Sequence, residues 1–215
     1  MVRSITAAAF AGFLGLAAVA AAVTPARAAG DIVLPRAGQV GIGMQVQGGS
    51  LLSAGELGRE FGGGPGLTFK VRYRMRFERA IGLTFDAQQL HARRPFGGAG
   101  AFDSLQDFPA VKRDRLKLNT AAIEFYQMFD TRERTVKMLS AGIGFAQVSA
   151  HLTDGETQIP LAGDGIFLSA GAGLERFVFH SWAWDLSSRY LMLFHDGKMN
   201  HDLQAQLGLI FYAAY

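Results

Sequence analysis

Lys70, Arg72, Arg74 and Arg76 place four cations on alternate positions of one short segment, Leu67 to Phe77, in a sequence of 215 residues. The positions between them, Leu67, Phe69, Val71, Tyr73, Met75 and Phe77, are all apolar. A period of two is that of a β-strand with one charged and one apolar face. Charge in a dry interior is costly unless it is paired, so these cations either face bulk water or meet carboxylates from other parts of the chain. Asp86, Glu124, Glu175 and Asp185, with Arg189 as a further base, lie on the polar faces of other alternating segments and are the candidate partners. Folding a hairpin about Glu78-Arg79 is expected to bring Asp86 towards Lys70 and Arg72. Such a set could line an ion passage, form a gate, or satisfy a polar interior as an ion-pair network.

Other reactive groups form weaker patterns. His91, His151, His195 and His201 fall near strand ends on one side, but they come from separate segments without metal-ligand spacing, and solvated rim positions suit them. The pairs His180-Ser181, His195-Asp196 and His201-Asp202 do not assemble a nucleophile, base and acid locally, so no catalytic residue, metal or cofactor is expected. With no Cys, thiolate zinc sites, cysteine nucleophiles, disulfides and lipid-modified cysteines are excluded. A net charge of +3 raises nucleic acid as a partner, yet the densest basic cluster shares one face of an apolar strand, with no basic helix or aromatic-interleaved basic loop beside it, which argues against it.

Positioning these charges requires a particular set of elements. Arg3, the apolar run Ile5 to Val23, Pro25 and Ala26-Arg27-Ala28 read as a secretory signal over 1–28, cut after Ala28. A lead-in over 29–38 and a barrel over 39–215 follow. Eight alternating segments are expected as strands: Gln39 to Gln47, Leu67 to Phe77, Ile81 to Gln89, Leu116 to Phe129, Val136 to Val148, Ile166 to Glu175, Trp182 to Phe194, and Asp202 to Tyr215. Each is long enough to cross a bilayer when tilted, at about 9–11 residues per crossing. Long connections (48–64, Ala92 to Lys112, Leu152 to Gly165, His195 to Asn200) alternate with short turns at Glu78-Arg79, Asp130 to Arg134 and Val178 to Ser181. Phe77, Phe129, Phe177, Phe179, Trp182 and Tyr215 lie beside the short turns, as in a membrane-interface girdle.

Alternation alone does not say which face points inward, since a soluble lipocalin-like barrel shares the period with its faces exchanged. The polar face here is rich in glycine and amides, and its acids offset its bases. That composition suits the crowded inside of an eight-stranded barrel better than a solvated outer surface. The apolar face is then expected to meet lipid.

With its signal, strand count, loop asymmetry and ending Leu207-Gly208-Leu209-Ile210-Phe211-Tyr212-Ala213-Ala214-Tyr215, the chain resembles the small eight-stranded outer-membrane barrels of Gram-negative bacteria, of the OmpA/OmpX type. The resemblance implies an all-β, antiparallel up-and-down transmembrane barrel with both termini in the periplasm, acting as a monomer. Its implied partners are outer-membrane lipid, lipopolysaccharide and the outer-membrane assembly machinery, which in that family reads a terminal aromatic. Phe211 and Tyr215 are the candidate signal here, although Phe is usual at the last position. The loop Ala92 to Lys112, with Arg93, Arg94 and Phe96, could touch lipopolysaccharide phosphates or a surface partner. A structural or surface-interaction role is expected first. A narrow passive pore for small solutes comes second; a lipocalin-like lipid binder or a lipopolysaccharide-modifying barrel enzyme comes third.

Overall fold

The computed structural model describes residues 37–52, 57–58, 61–91, 115–154, 157–179, 181–195 and 197–213, with side chains of 150–162 and 195 left aside. It forms eight strands: β1 (Val40–Leu51), β2 (Gly63–Arg76), β3 (Arg79–His91), β4 (Arg115–Phe129), β5 (Thr135–Asp154), β6 (Thr157–Phe177), β7 (Trp182–His195) and β8 (Lys198–Tyr212). Every neighbouring pair is antiparallel, and β1 pairs with β8 to close the barrel. Closure removes the exposed edges that an open sheet would leave unpaired.

The period of two dictates the faces. Ile42, Met44 and Val46 of β1, Leu83 and Phe85 of β3, Ile123 and Phe125 of β4, Ile143 and Phe145 of β5, and Leu207 and Leu209 of β8 point outward and are exposed. Their immediate neighbours, among them Gln45, Thr84, Glu124 and Gln206, are buried. Met44 is 65% and Phe145 72% exposed while Arg72 is 0% exposed, so the usual polarity of a water-soluble barrel is reversed.

The stagger decides which inward side chains share a level. Starting at Met44 and following paired residues through Phe69, Phe85, Ala121, Phe145, Ile166 and Phe194 leads to Met199 in β8. Met44 itself pairs with Leu209, so one circuit displaces the register by ten residues. Strands staggered in this way tilt by about 40° to the barrel axis.

Two expected loops are strand instead. β5 and β6 stay paired out to Asp154 opposite Thr157, so 152–165 is mostly a hairpin extension of the barrel wall. Likewise His195 pairs with Lys198, and the expected 195–200 loop is a tight turn with Gly197 at φ 70°, a conformation that glycine adopts without a Cβ clash. At the other end, Asp130 adopts φ 56°, tolerated by aspartate, and its carbonyl accepts the Glu133 N–H.

Glycines on the inner face permit close approach at the closing seam. A Cβ on Gly208 would lie 2.1 Å from the Met44 carbonyl oxygen and 2.5 Å from the Gln45 Cα, both backbone atoms that have little freedom to yield. Around Gly48 nothing lies within 4 Å of such an atom. Gly208→Val is therefore expected to destabilise the barrel by about 1–3 kcal/mol, with Gly48→Val much milder. Urea-dependent loss of the heat-modifiable folded band on gels measures both, and equal midpoints for the two variants would contradict the seam argument.

Candidate functional site

Inward-facing positions of seven strands converge on two layers of charge. The first is built from β2, β6 and β7. Arg72 donates to Glu175 (3.1 Å) and to Asp185 (3.1 Å), and Arg74 donates to the same Glu175 oxygen (3.2 Å). The Tyr212 hydroxyl accepts from Arg72 at 3.4 Å, and the Arg72 guanidinium sits 4.2 Å from the centre of the Tyr126 ring. Arg74 lies 5.0 Å from the Tyr212 ring centre. Planar guanidinium groups can serve two carboxylates and a ring face at once, which a lysine ammonium does less well.

The second layer centres on Arg189 of β7. It donates to Glu124 (2.9 Å), to Asp86 and to the Gln204 side-chain oxygen (2.8 Å). Asp86 also accepts from Thr68 (2.7 Å) and Thr120 (2.6 Å), while Glu124 accepts from Thr84 (3.0 Å) and from the Tyr126 hydroxyl. Lys70 stands between the layers and donates to Ser187 at 3.4 Å. Amides continue the network: Gln206 donates to Gln47 (3.1 Å), and Gln204 donates to Asp202 (2.8 Å). The void beside Lys70, Glu124 and Arg189 is about 10 Å³, room for about one water molecule.

Beyond Asp202, towards the end opposite the short turns, the interior turns apolar. Leu51, Leu90, Leu116, Leu118, Val148, Phe167, Leu191 and Leu193 point inward and are buried, joined by Leu57 and Phe61 from the β1–β2 connection. That connection is held by the Leu57 N–H donating to the Asn200 side chain (2.9 Å), the Phe61 N–H to the Leu57 carbonyl (2.8 Å), and the Gly62 N–H to the His91 carbonyl (2.8 Å).

Of the charges singled out in the sequence, Lys70, Arg72, Arg74, Asp86, Glu124, Glu175, Asp185 and Arg189 are buried together. Three expectations need correction. Arg76 is exposed and makes no part of the network; the register shifts between Arg74 and Arg76 where β2 approaches its turn, and the strand leaves the interior there. Asp86 does not pair with Lys70 or Arg72: it lies opposite Thr68 in the register, and its cation is Arg189, from four strands away along the wall. Phe177 is not part of an outer girdle; it is 2% exposed, with its ring centre 5.8 Å from that of Tyr212.

The charge network expected from the sequence leaves out Asp202, a fifth buried carboxylate, and the tyrosines Tyr126 and Tyr212, although all three lie on the polar faces of their segments. The even parity of β8 places Asp202 with Gln204 and Gln206, a signal that was available. Phe211 faces outward, 5.0 Å between ring centres from Trp182; Tyr215 lies outside the described residues, as do His180, Asp196 and the 92–112 loop. His91 Nδ1 is 3.3 Å from the Gly63 carbonyl, and His201 stacks on Tyr190. Among the described residues no three His, Asp or Glu side chains form a metal-holding group.

No protein-family model matches the sequence, and no curated protein matches it either. Solved structures share the fold. Neisserial surface protein A (NspA) superposes with TM-score 0.56 at 14% identity, covering 80% of this chain and 96% of its own. OprG, an outer membrane protein of Pseudomonas aeruginosa, gives 0.56 at 11% identity, with 86% and 100% covered. The N-terminal β-barrel domain of Pseudomonas aeruginosa OprF gives 0.50 at 12%, with 82% and 99% covered. At these identities the likeness is one of fold: an eight-stranded closed antiparallel barrel of the OmpA/OmpX type.

Removing one partner of a buried ion pair leaves the other's charge without compensation, a loss of about 3–5 kcal/mol. Arg72→Ala should lower stability by that order because Asp185 loses its cation and Glu175 keeps only Arg74. Arg76→Ala should leave the unfolding midpoint unchanged. Urea titration followed by the emission of Trp182 and Trp184 makes the comparison, and equal effects of the two substitutions would refute the assignment.

Proposed function

We propose that the chain is an outer-membrane-spanning β-barrel protein, exported with residues 1–28 removed, whose interior is closed to solutes and whose role is structural or surface-interacting rather than catalytic. The observation that carries this reading is the reversed polarity: Met44, Ile143 and Phe145 are each more than half exposed while Arg72 and Glu175 are fully enclosed. Water would penalise that apolar exterior, whereas acyl chains accept it, and a closed barrel satisfies all its strand hydrogen bonds in a medium that offers none. The surface and outer-membrane designations of NspA and OprG agree with it.

Two barriers in series support a closed interior. Ion pairs from β2, β3, β4, β6 and β7 cross one half, and the leucine-rich cluster with Phe61 and Phe167 fills the other. Eight strands enclose only enough space for side chains to fill. A pore would need both to move, because an apolar constriction excludes ions even where the charged layer is hydrated. Closure without a free sheet edge suits a monomer. Lipopolysaccharide and the assembly machinery are the partners that such a location entails, with Phe211 and Tyr215 as the aromatics near the C-terminus that the latter would read.

Cell fractionation combined with planar-bilayer recording tests the proposal. The folded protein should sediment with outer membranes, require detergent for extraction, and give no discrete conductance steps. Arg72→Ala should remain silent too, since the leucine layer persists. Solubility without detergent would overturn the membrane reading, and regular unitary steps from the unmodified chain would overturn closure.

A further inference from the structure

The outer wall carries a hollow of roughly 700 Å³, within the range of about 300–1,000 Å³ typical of ligand pockets. It arises because bulky side chains flank small ones. Ala87 and Ala121 line it together with Phe69, Phe85 and Phe145, and Ala121 lies between Phe85 and Phe145 in the register. The strand register sorts its surroundings into three tiers. Met44, Phe69, Phe85, Ala121 and Phe145 pair across β1 to β5 as an apolar tier. One step further from the short turns, Asn119, Gln147 and Asp164 pair as a polar tier across β4 to β6. The next outward positions on β4 are the exposed cations Lys117 and Arg115, with exposed His91 paired to Arg115. Along a strand, successive tiers are separated by about 7 Å.

We propose that this face holds the acylated, phosphorylated glycolipid that anchors lipopolysaccharide. Its acyl chains occupy the hollow, its sugars meet Asn119 and Gln147, and a phosphate meets Lys117 and Arg115. The inference rests on the membrane reading above, taken with the periplasmic termini that the resemblance implies, so that the end opposite the short turns lies in the outer leaflet. Breadth favours a multiply acylated lipid: the lining runs from Met44 of β1 to Asp164 of β6, five strand spacings or about 24 Å along the wall. Hydrocarbon against hydrocarbon provides little preference inside a bilayer, so selectivity falls to the charged tier. Asp164, a carboxylate that repels phosphate, lies two strands from β4, about 10 Å along the wall. It is an acceptor for sugar hydroxyl and amide groups. Cations at a membrane surface attract anionic headgroups.

Native mass spectrometry of the full protein, extracted from membranes in detergent, tests the site with three probes: bisphosphorylated lipid A, the same glycolipid without phosphate, and phosphatidylglycerol. The unmodified protein should retain the first in preference to the others. Lys117→Gln combined with Arg115→Gln should reduce retention about tenfold or more, and Ala121→Trp, which fills the hollow, should reduce it with the cations intact. Heat-modifiable migration verifies that each variant is folded. Equal retention of all three probes, or retention unaffected by both sets of substitutions, would overturn the site. So would lipid-independent dimers that Ala121→Trp abolishes, since the hollow would then seat a second copy. Fractionation, measured separately, reports on the membrane reading whichever way lipid binding falls.

Discussion

Enclosing guanidinium groups away from water is the constraint around which this barrel is arranged. Arg72, Arg74 and Arg189 each lose their hydration, and the loss is offset only because carboxylates from distant strands arrive at hydrogen-bond distance. Glu175 serves both Arg72 and Arg74, so the first layer is a shared network rather than a set of independent pairs. That sharing requires β2, β6 and β7 to be placed correctly relative to one another across the interior. The ten-residue stagger of the register achieves this, and it also explains why the side chains that meet are far apart in sequence. Networks of this kind favour one arrangement over near alternatives, because a slip of one residue would turn every charge to the apolar side.

The exterior follows from the interior. Once polar side chains occupy the inward positions, the period of two puts Ile42, Met44, Val46, Leu207 and Leu209 outside, where an apolar solvent is needed. The polarity pattern does not persist to the far end. There Leu116 and Leu118 point inward while Arg115, Lys117 and Asn119 point outward, an ordinary water-facing arrangement above the apolar belt. The change of pattern within β4 marks, on the proposed reading, the level at which the wall leaves hydrocarbon and enters the headgroup and aqueous regions. It also separates the charged layer from the leucine layer within one continuous interior.

Much of this was readable from alternation. Strand count, the outward rows of β1 to β8, and the identity of eight of the buried charges follow from residue type and parity. Pairing partners were not readable, because Asp86 meets Arg189 only through the accumulated stagger of several strands, which no local pattern encodes. The exit of Arg76 depends on a register shift beside a two-residue turn. Phe177 was misassigned by its nearness to a turn, although counting on from Glu175 puts it inside. The inward leucines were overlooked because polar was equated with interior, an equation valid only within the belt. The hairpin extension of β5 and β6 contains Pro160, Gly163 and Gly165, which read as loop locally, yet pairing along the whole length keeps it as strand.

Because the chain contains no cysteine, a single introduced thiol reports on one position without background. Spin labels at Ile42, Ile123, Ile143 and Leu207, each replaced by Cys in turn and reconstituted in lipid vesicles, address the reversed polarity most directly. Relaxation of these labels should be strongly enhanced by oxygen, which concentrates in hydrocarbon, and scarcely affected by a water-soluble nickel chelate, whereas a label at Gly48, above the belt, should respond to the chelate. Efficient relaxation by the chelate at all of these positions would mean that water bathes the apolar face, and the account would be wrong.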